Sequence, residues 1–364
     1  MWKWNFLCWL INFLTRKPRK RRHHFERLSK RVSVELDQYD EAWKVATQYS
    51  KTCPPVPFES HTTSNMAIVV QGPVVCRDNL TLETLKLYRG LFANQPIILS
   101  TWEDASPDCL STAEQMGIHI VTGPPPEHFG PANLNMQIVS TRRGIEKAEQ
   151  LGAKYTLKTR TDTRLHSPHL GDFLTGLLKS FPIRSNDMQQ ERIAVLDHAT
   201  RLYIPYHPSD ILMFGRTEDL LRYWSAPLCI DNQVVLAPQN FGELIQEPSS
   251  EVWVSEVWLC RHFLEQLGVT LDGTLEQWWQ LLADRFITLD RSSLGFFWPK
   301  YNYHENHALS ENDEYRNLAT CSFRHWISIA QMQMRPSVTI EDLEHEKINA
   351  ILAKAPAAKM SQVS

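Results

Sequence analysis

Residues 66–161 impose the tightest constraint on the fold, because four short apolar runs alternate there with segments of helical period. The first run, 66–75, contains Ala67-Ile68-Val69-Val70 and closes at Gln71-Gly72-Pro73, which reads as a buried strand ending in a turn. Leu82, Leu85, Tyr88 and Phe92 then give one apolar helical face, with Thr81 placed to cap its start. Strands at 96–101, 118–121 and 155–161 follow, separated by helices at 109–116 and 134–151. Crossovers of that length predict an α/β fold: a Rossmann-type, mostly parallel sheet with helices on both faces. Such sheets bind ligands beyond the carboxyl ends of their strands. The useful polar residues are therefore expected at 71–73, 100–103, 122–125 and 159–164.

The alternation continues more loosely through a helix at 169–179, strands at 192–196 and 210–214, and a helix at 217–224. Beyond residue 225 tryptophans become frequent, and helices are expected at 256–267, capped by Ser255, and 274–283, capped by Asp272 or Thr274. With 43% hydrophobic residues in 364, the chain can bury one large core or two modest ones. A formal net charge of -3 excludes wholesale nucleic-acid binding, which needs a basic excess to neutralise phosphates. Cys8, Cys53, Cys76, Cys109, Cys229, Cys260 and Cys321 lie far apart, without the spacing of a zinc site or a small disulfide framework. Scattered thiols of this kind point to a reducing compartment.

The amino terminus departs from this pattern. Trp2, Phe6, Trp9 and Phe13 recur at helical spacing, and the basic run Arg16, Lys17, Arg19, Lys20, Arg21, Arg22 follows them. A signal peptide places its positive charge first, and a spanning helix needs about 20 apolar residues. An amphipathic helix lying on an anionic membrane surface is the expectation, with packing on the protein's own body as the alternative. That reading places the protein in the cytoplasm, peripheral on the inner face of the cytoplasmic membrane.

Lys158-Thr159-Arg160-Thr161-Asp162-Thr163-Arg164 ends the strand at 155–161 in alternating hydroxyls and charges. A buried strand that finishes in this way needs either something to bind or a structural ion pair. The ordered segments Ile68-Val69-Val70-Gln71-Gly72-Pro73-Val74, Asn133-Leu134-Asn135-Met136-Gln137-Ile138-Val139-Ser140-Thr141, Lys158-Thr159-Arg160-Thr161-Asp162 and His207-Pro208-Ser209-Asp210 together resemble the WavE lipopolysaccharide-synthesis family. The resemblance spans about residues 66–267. It implies a GT-A-like glycosyltransferase that moves a sugar from a nucleotide-sugar donor to the lipopolysaccharide core or another bacterial surface glycan. The acceptor is then a glycolipid or an oligosaccharide.

On that basis the chain divides into a membrane-surface helix and basic run (1–24), a helical arm with a Pro-rich linker (25–64) and a nucleotide-sugar-binding GT-A-like domain (65–224). An acceptor-side helical, aromatic region (225–335) and a C-terminal helix with a disordered tail (336–364) follow. Loss of a nucleoside diphosphate leaves negative charge to be neutralised by a carboxylate-held metal, by Arg or Lys, or by both. GT-A enzymes commonly carry Asp-x-Asp where this chain has Arg160-Thr161-Asp162. Asp162 is thus the one expected ligand for a divalent cation, Mn2+ or Mg2+, with Lys158, Arg160 and Arg164 able to act directly.

Gln71 and Gly72 are expected at the base and ribose, unless they form an ordinary turn. Asn135, Gln137 and Arg142 are expected at the ribose or donor sugar, unless they lie on a solvated helix face. An inverting transfer needs a base for the acceptor hydroxyl, and Glu256 is the choice, with Asp210 and Glu251 behind it. A glutamate at a helix start also simply favours the helix dipole. Trp253, Trp258, Trp278, Trp279 and Trp298 can stack on sugar or fill the core. Two rival functions stay open. A sugar-nucleotide nucleotidyltransferase would share the sheet but needs a glycine-rich basic loop that Gln71-Gly72-Pro73-Val74-Val75 lacks. A non-catalytic membrane-surface assembly protein would tolerate the missing first aspartate.

Overall fold

The computed structural model describes residues 65–76, 79–167, 169–185, 188–229, 255–298 and 320–334. All of them fall within the unit spanning Phe58–Ser364. The expected membrane-surface helix, the arm, Glu251, Trp253 and the C-terminal tail lie outside the described residues.

Seven strands form one sheet: β1 (Met66–Gln71), β2 (Ile97–Ser100), β3 (His119–Val121), β4 (Tyr155–Arg160), β5 (Ile193–Leu196), β6 (Met213–Arg216) and β7 (Phe286–Leu289), in the order β3-β2-β1-β4-β6-β5-β7. Helices α1 (Leu80–Leu91), α2 (Pro107–Gln115) and α3 (Leu134–Gln150) make the crossovers between the first four strands, which pair in parallel. The chain steps outward from β1 to β2 to β3, then returns through α3 to place β4 on the other side of β1. That reversal is a topological switch point between β1 and β4. It sets Gln71 beside Arg160 in register, and Thr161 N–H donates to Gln71 O at 3.0 Å.

The two faces of β4 show that the sheet is covered on both sides. Tyr88 of α1 lies on the Thr159 side, whereas buried Lys158 on the opposite face meets Trp224, just past α5 (Thr217–Tyr223). α4 (Leu170–Ser180) lies between β4 and β5 in the chain. β1 shows no alternation of buried and exposed positions: all six residues are buried, as a central strand with two covered faces requires. Gly144 in α3 allows the helix to approach the sheet closely, since a Cβ there would stand 2.4 Å from Val69 Cγ1.

Only β6 runs against the rest: it pairs antiparallel with both β4 and β5. Residues 197–212 contain no crossover helix, so the chain leaving β5 turns straight back along its neighbour. The carboxyl ends of β1, β2, β3, β4, β5 and β7 consequently share one edge of the sheet, and the chain enters β6 from that same edge.

Beyond residue 225 come α6 (Ser255–Gln266), α7 (Leu275–Arg285), β7, the single turn α8 (Arg291–Leu294) and α9 (Phe323–Met334). The pattern of residues 225–335 suggested helices alone, yet β7 extends the sheet by pairing with β5. Its four residues, Phe-Ile-Thr-Leu, follow directly on α7 with no turn residue to separate them, so the helical period masks them. Thr274 caps α7, accepting from Gln277 N–H at 3.1 Å. Thr81 does not cap α1. It sits inside the first turn, accepts from Val75 N–H at 2.9 Å and donates to Thr161 O at 3.1 Å, stitching the β1 loop to the end of β4. Among the described residues no helix is long and apolar enough to cross a membrane.

Candidate functional site

The switch point between β1 and β4 holds the first part of the site. Arg160 grips Asp162 with two hydrogen bonds, Nε to Oδ1 at 2.8 Å and Nη2 to Oδ2 at 3.1 Å. Trp298 completes the cluster: its Nε1–H donates to Asp162 Oδ2 at 3.1 Å, and the Arg160 guanidinium lies 5.2 Å from its ring centroid. The 160–162 turn is fixed from both sides, by Thr81 on Thr161 O and by Gly72, whose φ of 121° and closeness to Thr161 Oγ1 leave no room for a side chain. A Cβ at residue 72 would stand 2.9 Å from that hydroxyl oxygen. Arg160 and Asp162 keep 22% and 17% of their side-chain surfaces exposed, so the pair reaches solvent at the sheet edge.

The second part comes from residues 197–212 and from the start of α6. Lys158, fully buried in β4, donates its ammonium to the carbonyl of Asp210 and lies 4.6 Å from the Trp224 ring centroid. Burial lowers its pKa to about 7, against the opposing pull of Asp210, so this lysine can lose its proton near neutrality. Glu256, in the first turn of α6, approaches His207, with Oε2 3.9 Å from Nε2. Burial first, and the charge of Asp210 second, push the Glu256 carboxyl up to about 8. Burial and then Arg201 push His207 down to about 3. At neutral pH the contact therefore joins a neutral imidazole to a mostly protonated carboxyl, and is not an ion pair.

The 197–212 segment owes its shape to α7. Trp278 Nε1–H donates to Arg201 O at 2.8 Å, Trp279 Nε1–H to Leu202 O at 2.7 Å, and Gln277 pairs with the Tyr206 hydroxyl. Two non-glycine residues in the segment, Ala199 and Tyr206, hold positive φ of 70° and 60°. Such a backbone persists only where its surroundings fix it, and here the indoles of α7 do so. Trp258 donates to Pro227 O. These tryptophans are buried or partly buried structural anchors, and Trp298, 6% exposed, supports the Arg160–Asp162 pair.

The structure thus gathers Lys158, Arg160, Asp162, Asp210 and Glu256 from three separate stretches of chain. Four other expected site residues, Asn135, Arg142, Arg164 and Gln71, have internal partners. Asn135 donates to His128 O and Cys229 O and accepts from Cys229 N–H, so both ends of its buried amide hold the fold. Arg142 pairs with Glu146 one turn on, on an exposed face of α3. Arg164 turns toward α1 and donates to Thr84 Oγ1 and Leu80 O. Gln71 accepts from Ser140 Oγ at 2.8 Å, within the sheet–helix contact. Gln137, partly buried in α3, has a buried Oε1 without a hydrogen-bond partner among the described residues.

Sequence reasoning leaves His207 and His198 out of the site, since nothing in their spacing distinguishes a ligand or proton carrier from a structural histidine, and it passes over Arg201. His198 follows β5, packs edge-on to Trp298 at 5.6 Å, and lies 3.2 Å from an Arg291 nitrogen. Burial, reinforced by Arg291, lowers its pKa to about 4, so it too is neutral at pH 7. A signal was present: Asp197-His198 follows the buried run Ile193–Leu196, just as the Arg160 cluster ends β4.

The donor set around Asp162 does not fit a carboxylate-held divalent cation. Both oxygens accept from the Arg160 guanidinium and one also from Trp298, so a cation's place beside the carboxylate is taken by a fixed positive group. Among the described residues no group of three or more His, Cys, Asp or Glu is arranged to hold a metal ion.

No curated protein matches the chain. A family model described as WavE lipopolysaccharide synthesis matches residues 66–356, which takes in every described strand and the site at their carboxyl ends. Over most of its length, therefore, the chain belongs to the WavE lipopolysaccharide-synthesis family.

Proposed function

We propose that this protein is a GT-A-like glycosyltransferase that moves a sugar from a nucleotide-sugar donor to a lipopolysaccharide core or related surface-glycan acceptor. The observation that supports this reading best is the meeting of a fixed Arg160–Asp162 ion pair, at the switch point of a largely parallel sheet, with the proton-holding carboxyl of Glu256 at the same sheet edge. Arg160 neutralises charge that develops on the departing diphosphate, in place of a cation held by Asp162. Asp162 and Trp298 hold the guanidinium plane still. A fixed donor stabilises new charge without reorganising as that charge appears.

Glu256 takes the proton of the acceptor hydroxyl as the glycosidic bond forms. A carboxyl raised to about 8 by burial, and further by the charge of Asp210, is a stronger base than an ordinary one once ionised. Lys158 positions this acid pair through the Asp210 carbonyl. Membership of a lipopolysaccharide-synthesis family supports a surface glycan as the acceptor class, and the N-terminal apolar and basic segments suit attachment to the inner face of the membrane where glycolipid acceptors lie.

The test is a screen of nucleotide sugars with purified chain and deep-rough lipopolysaccharide, following the nucleotide released. Release of nucleoside diphosphate or monophosphate with mass gain on the glycan is the expected result. Pyrophosphate release would instead identify a nucleotidyltransferase. Adding manganese or a chelator should leave the rate unchanged, and strong chelator inhibition would overturn the role given to Arg160. Cells carrying Asp162→Ala should show truncated glycan; unchanged glycan would favour the non-catalytic rival.

A further inference from the structure

Cys76 and Cys109, 33 residues apart in sequence, bring their sulfurs to 3.7 Å at the surface. Their spacing alone does not announce a pair, because the β1–α1 loop and the first turn of α2 meet only once both pack beside the sheet edge. We propose that Cys76 and Cys109 form a reversible disulfide, a redox latch on the loop that follows β1.

The geometry favours closure. A disulfide needs its sulfurs at about 2.05 Å, so the gap closes by side-chain rotation and a small shift. The Cys76 backbone is already fixed: its carbonyl accepts from Asn79 N–H at 3.0 Å, and Val75 is tied to Thr81 through both backbone and hydroxyl. Cys76 is exposed and Cys109 partly so, which leaves both open to a small oxidant. The other described cysteines, Cys229, Cys260 and Cys321, are buried. The S–H···S contact with Cys109 holds the Cys76 thiol above its ordinary value, so attack through this thiolate quickens toward alkaline pH.

The oxidant is a low-molecular-weight disulfide such as glutathione disulfide. One thiolate attacks it, expelling one glutathione thiolate and forming a mixed disulfide. The second protein thiolate then attacks that protein sulfur, expelling the second glutathione. Two protein thiols thus lose two electrons and two protons in all, and glutathione disulfide gains them as two thiols.

The latch has a route to the candidate site. Thr81 holds Val75, next to Cys76, and the same hydroxyl donates to Thr161 O between Arg160 and Asp162. Pulling residue 76 toward α2 loads that bond. This second half of the inference rests on the reading of Arg160 as the donor contact.

Purified full-length chain is treated with glutathione disulfide, digested without reduction and mapped by mass spectrometry. The expected result is a linked pair of peptides containing Cys76 and Cys109, two hydrogens lighter, reversed by dithiothreitol and absent from Cys76→Ser. In Cys109→Ser, Cys76 should instead retain bound glutathione. Stable glutathione on Cys76 of the unaltered chain, with Cys109 still a thiol, would overturn the disulfide.

A second arm measures binding of uridine and guanosine diphosphates to the reduced and oxidised forms. Oxidation should change affinity about fivefold or more, the lower end of usual coupling between sites, and Thr81→Val should reduce that change. Equal affinities with the disulfide formed would overturn the coupling. Failure of the reduced chain to bind either nucleotide would count against the donor reading, while the linked peptides would still stand.

Discussion

Two charged clusters share one sheet edge and hold charge in opposite ways. Arg160 and Asp162 are partners of opposite sign, locked by two hydrogen bonds and partly open to water. Asp210 and Glu256 are two carboxyls that would repel if both were ionised, with Asp210 buried and Glu256 largely so; burial first, and the neighbouring charge second, lift Glu256 to about 8. The first cluster is a fixed cation with a backing anion. The second is a store for a proton. A transfer that leaves a diphosphate and deprotonates a hydroxyl needs one of each, which is the lesson of their contrast.

The sharpest way to break the comparison is to remove the proton store alone. Glu256→Gln keeps size and hydrogen bonding but not basicity, and should lower kcat by about a hundredfold or more. Nucleotide affinity should stay within about twofold, because Arg160 is untouched. Stopped-time kinetics at saturating donor, with nucleotide binding measured separately, checks both halves. In the unaltered chain the rate should climb with pH toward about 8, where Glu256 ionises, and that limb should vanish in the variant. A variant of near-normal rate would mean that the carboxyl pair only shapes the fold.

Removing the fixed cation should come next in size. Arg160→Gln should cost roughly a hundredfold in kcat/KM, the scale of losing one preorganised electrostatic donor. Arg160→Lys should recover little, since a lysine cannot grip Asp162 with two parallel bonds. Both steps are read from kcat/KM for the donor. Equal activity of the lysine variant would show that charge matters and the fork does not.

Within the second cluster, Glu256 and Lys158 make opposite demands on stability as pH changes. Folded Glu256 holds a proton up to about 8 that the unfolded chain releases near 4.5, so its contribution is complete below 4.5 and is lost as pH rises through 8. Folded Lys158 loses its proton at about 7, against 10.5 unfolded, so its contribution is complete above 10.5 and is lost as pH falls through 7. Stability should therefore pass through a minimum between pH 7 and 8, with limbs of at most about 1.4 kcal/mol per pH unit from each group. Urea midpoints at about pH 5.5, 7.5 and 9.5 would show it. Glu256→Gln should flatten the acid limb and Lys158→Met the alkaline one.

Much of the frame was legible because its period is strong. The apolar runs of β1, β2 and β4 and the long amphipathic α3 appear where the pattern places them, and with them the edge that bears Arg160. The antiparallel entry of β6 was harder, since nothing in residues 197–212 announces a return by loop instead of helix. Side-chain roles were least legible. Asn135 reads as a polar residue facing a ligand, and only the arrival of residues 128 and 229 reveals that its amide is already used. Trp298 shows the converse, an apolar residue 136 positions from Asp162 that becomes its hydrogen-bond donor. Such pairings depend on long-range packing and leave no local period to detect.

Trp298 also offers the finest test of the contrast, because it touches the fixed pair and not the proton store. Trp298→Phe keeps an aromatic face for Arg160 and a ring against His198, and removes the indole N–H that donates to Asp162 Oδ2. Loss of a single hydrogen bond to a charged acceptor, with the guanidinium fork still in place, should lower donor kcat/KM about fivefold, or about 1 kcal/mol. The pH at which the rate rises should not move, since Glu256 keeps its surroundings. A shifted pH profile in this variant would show that the two clusters titrate as one unit, and the division between fixed cation and proton store would then fail.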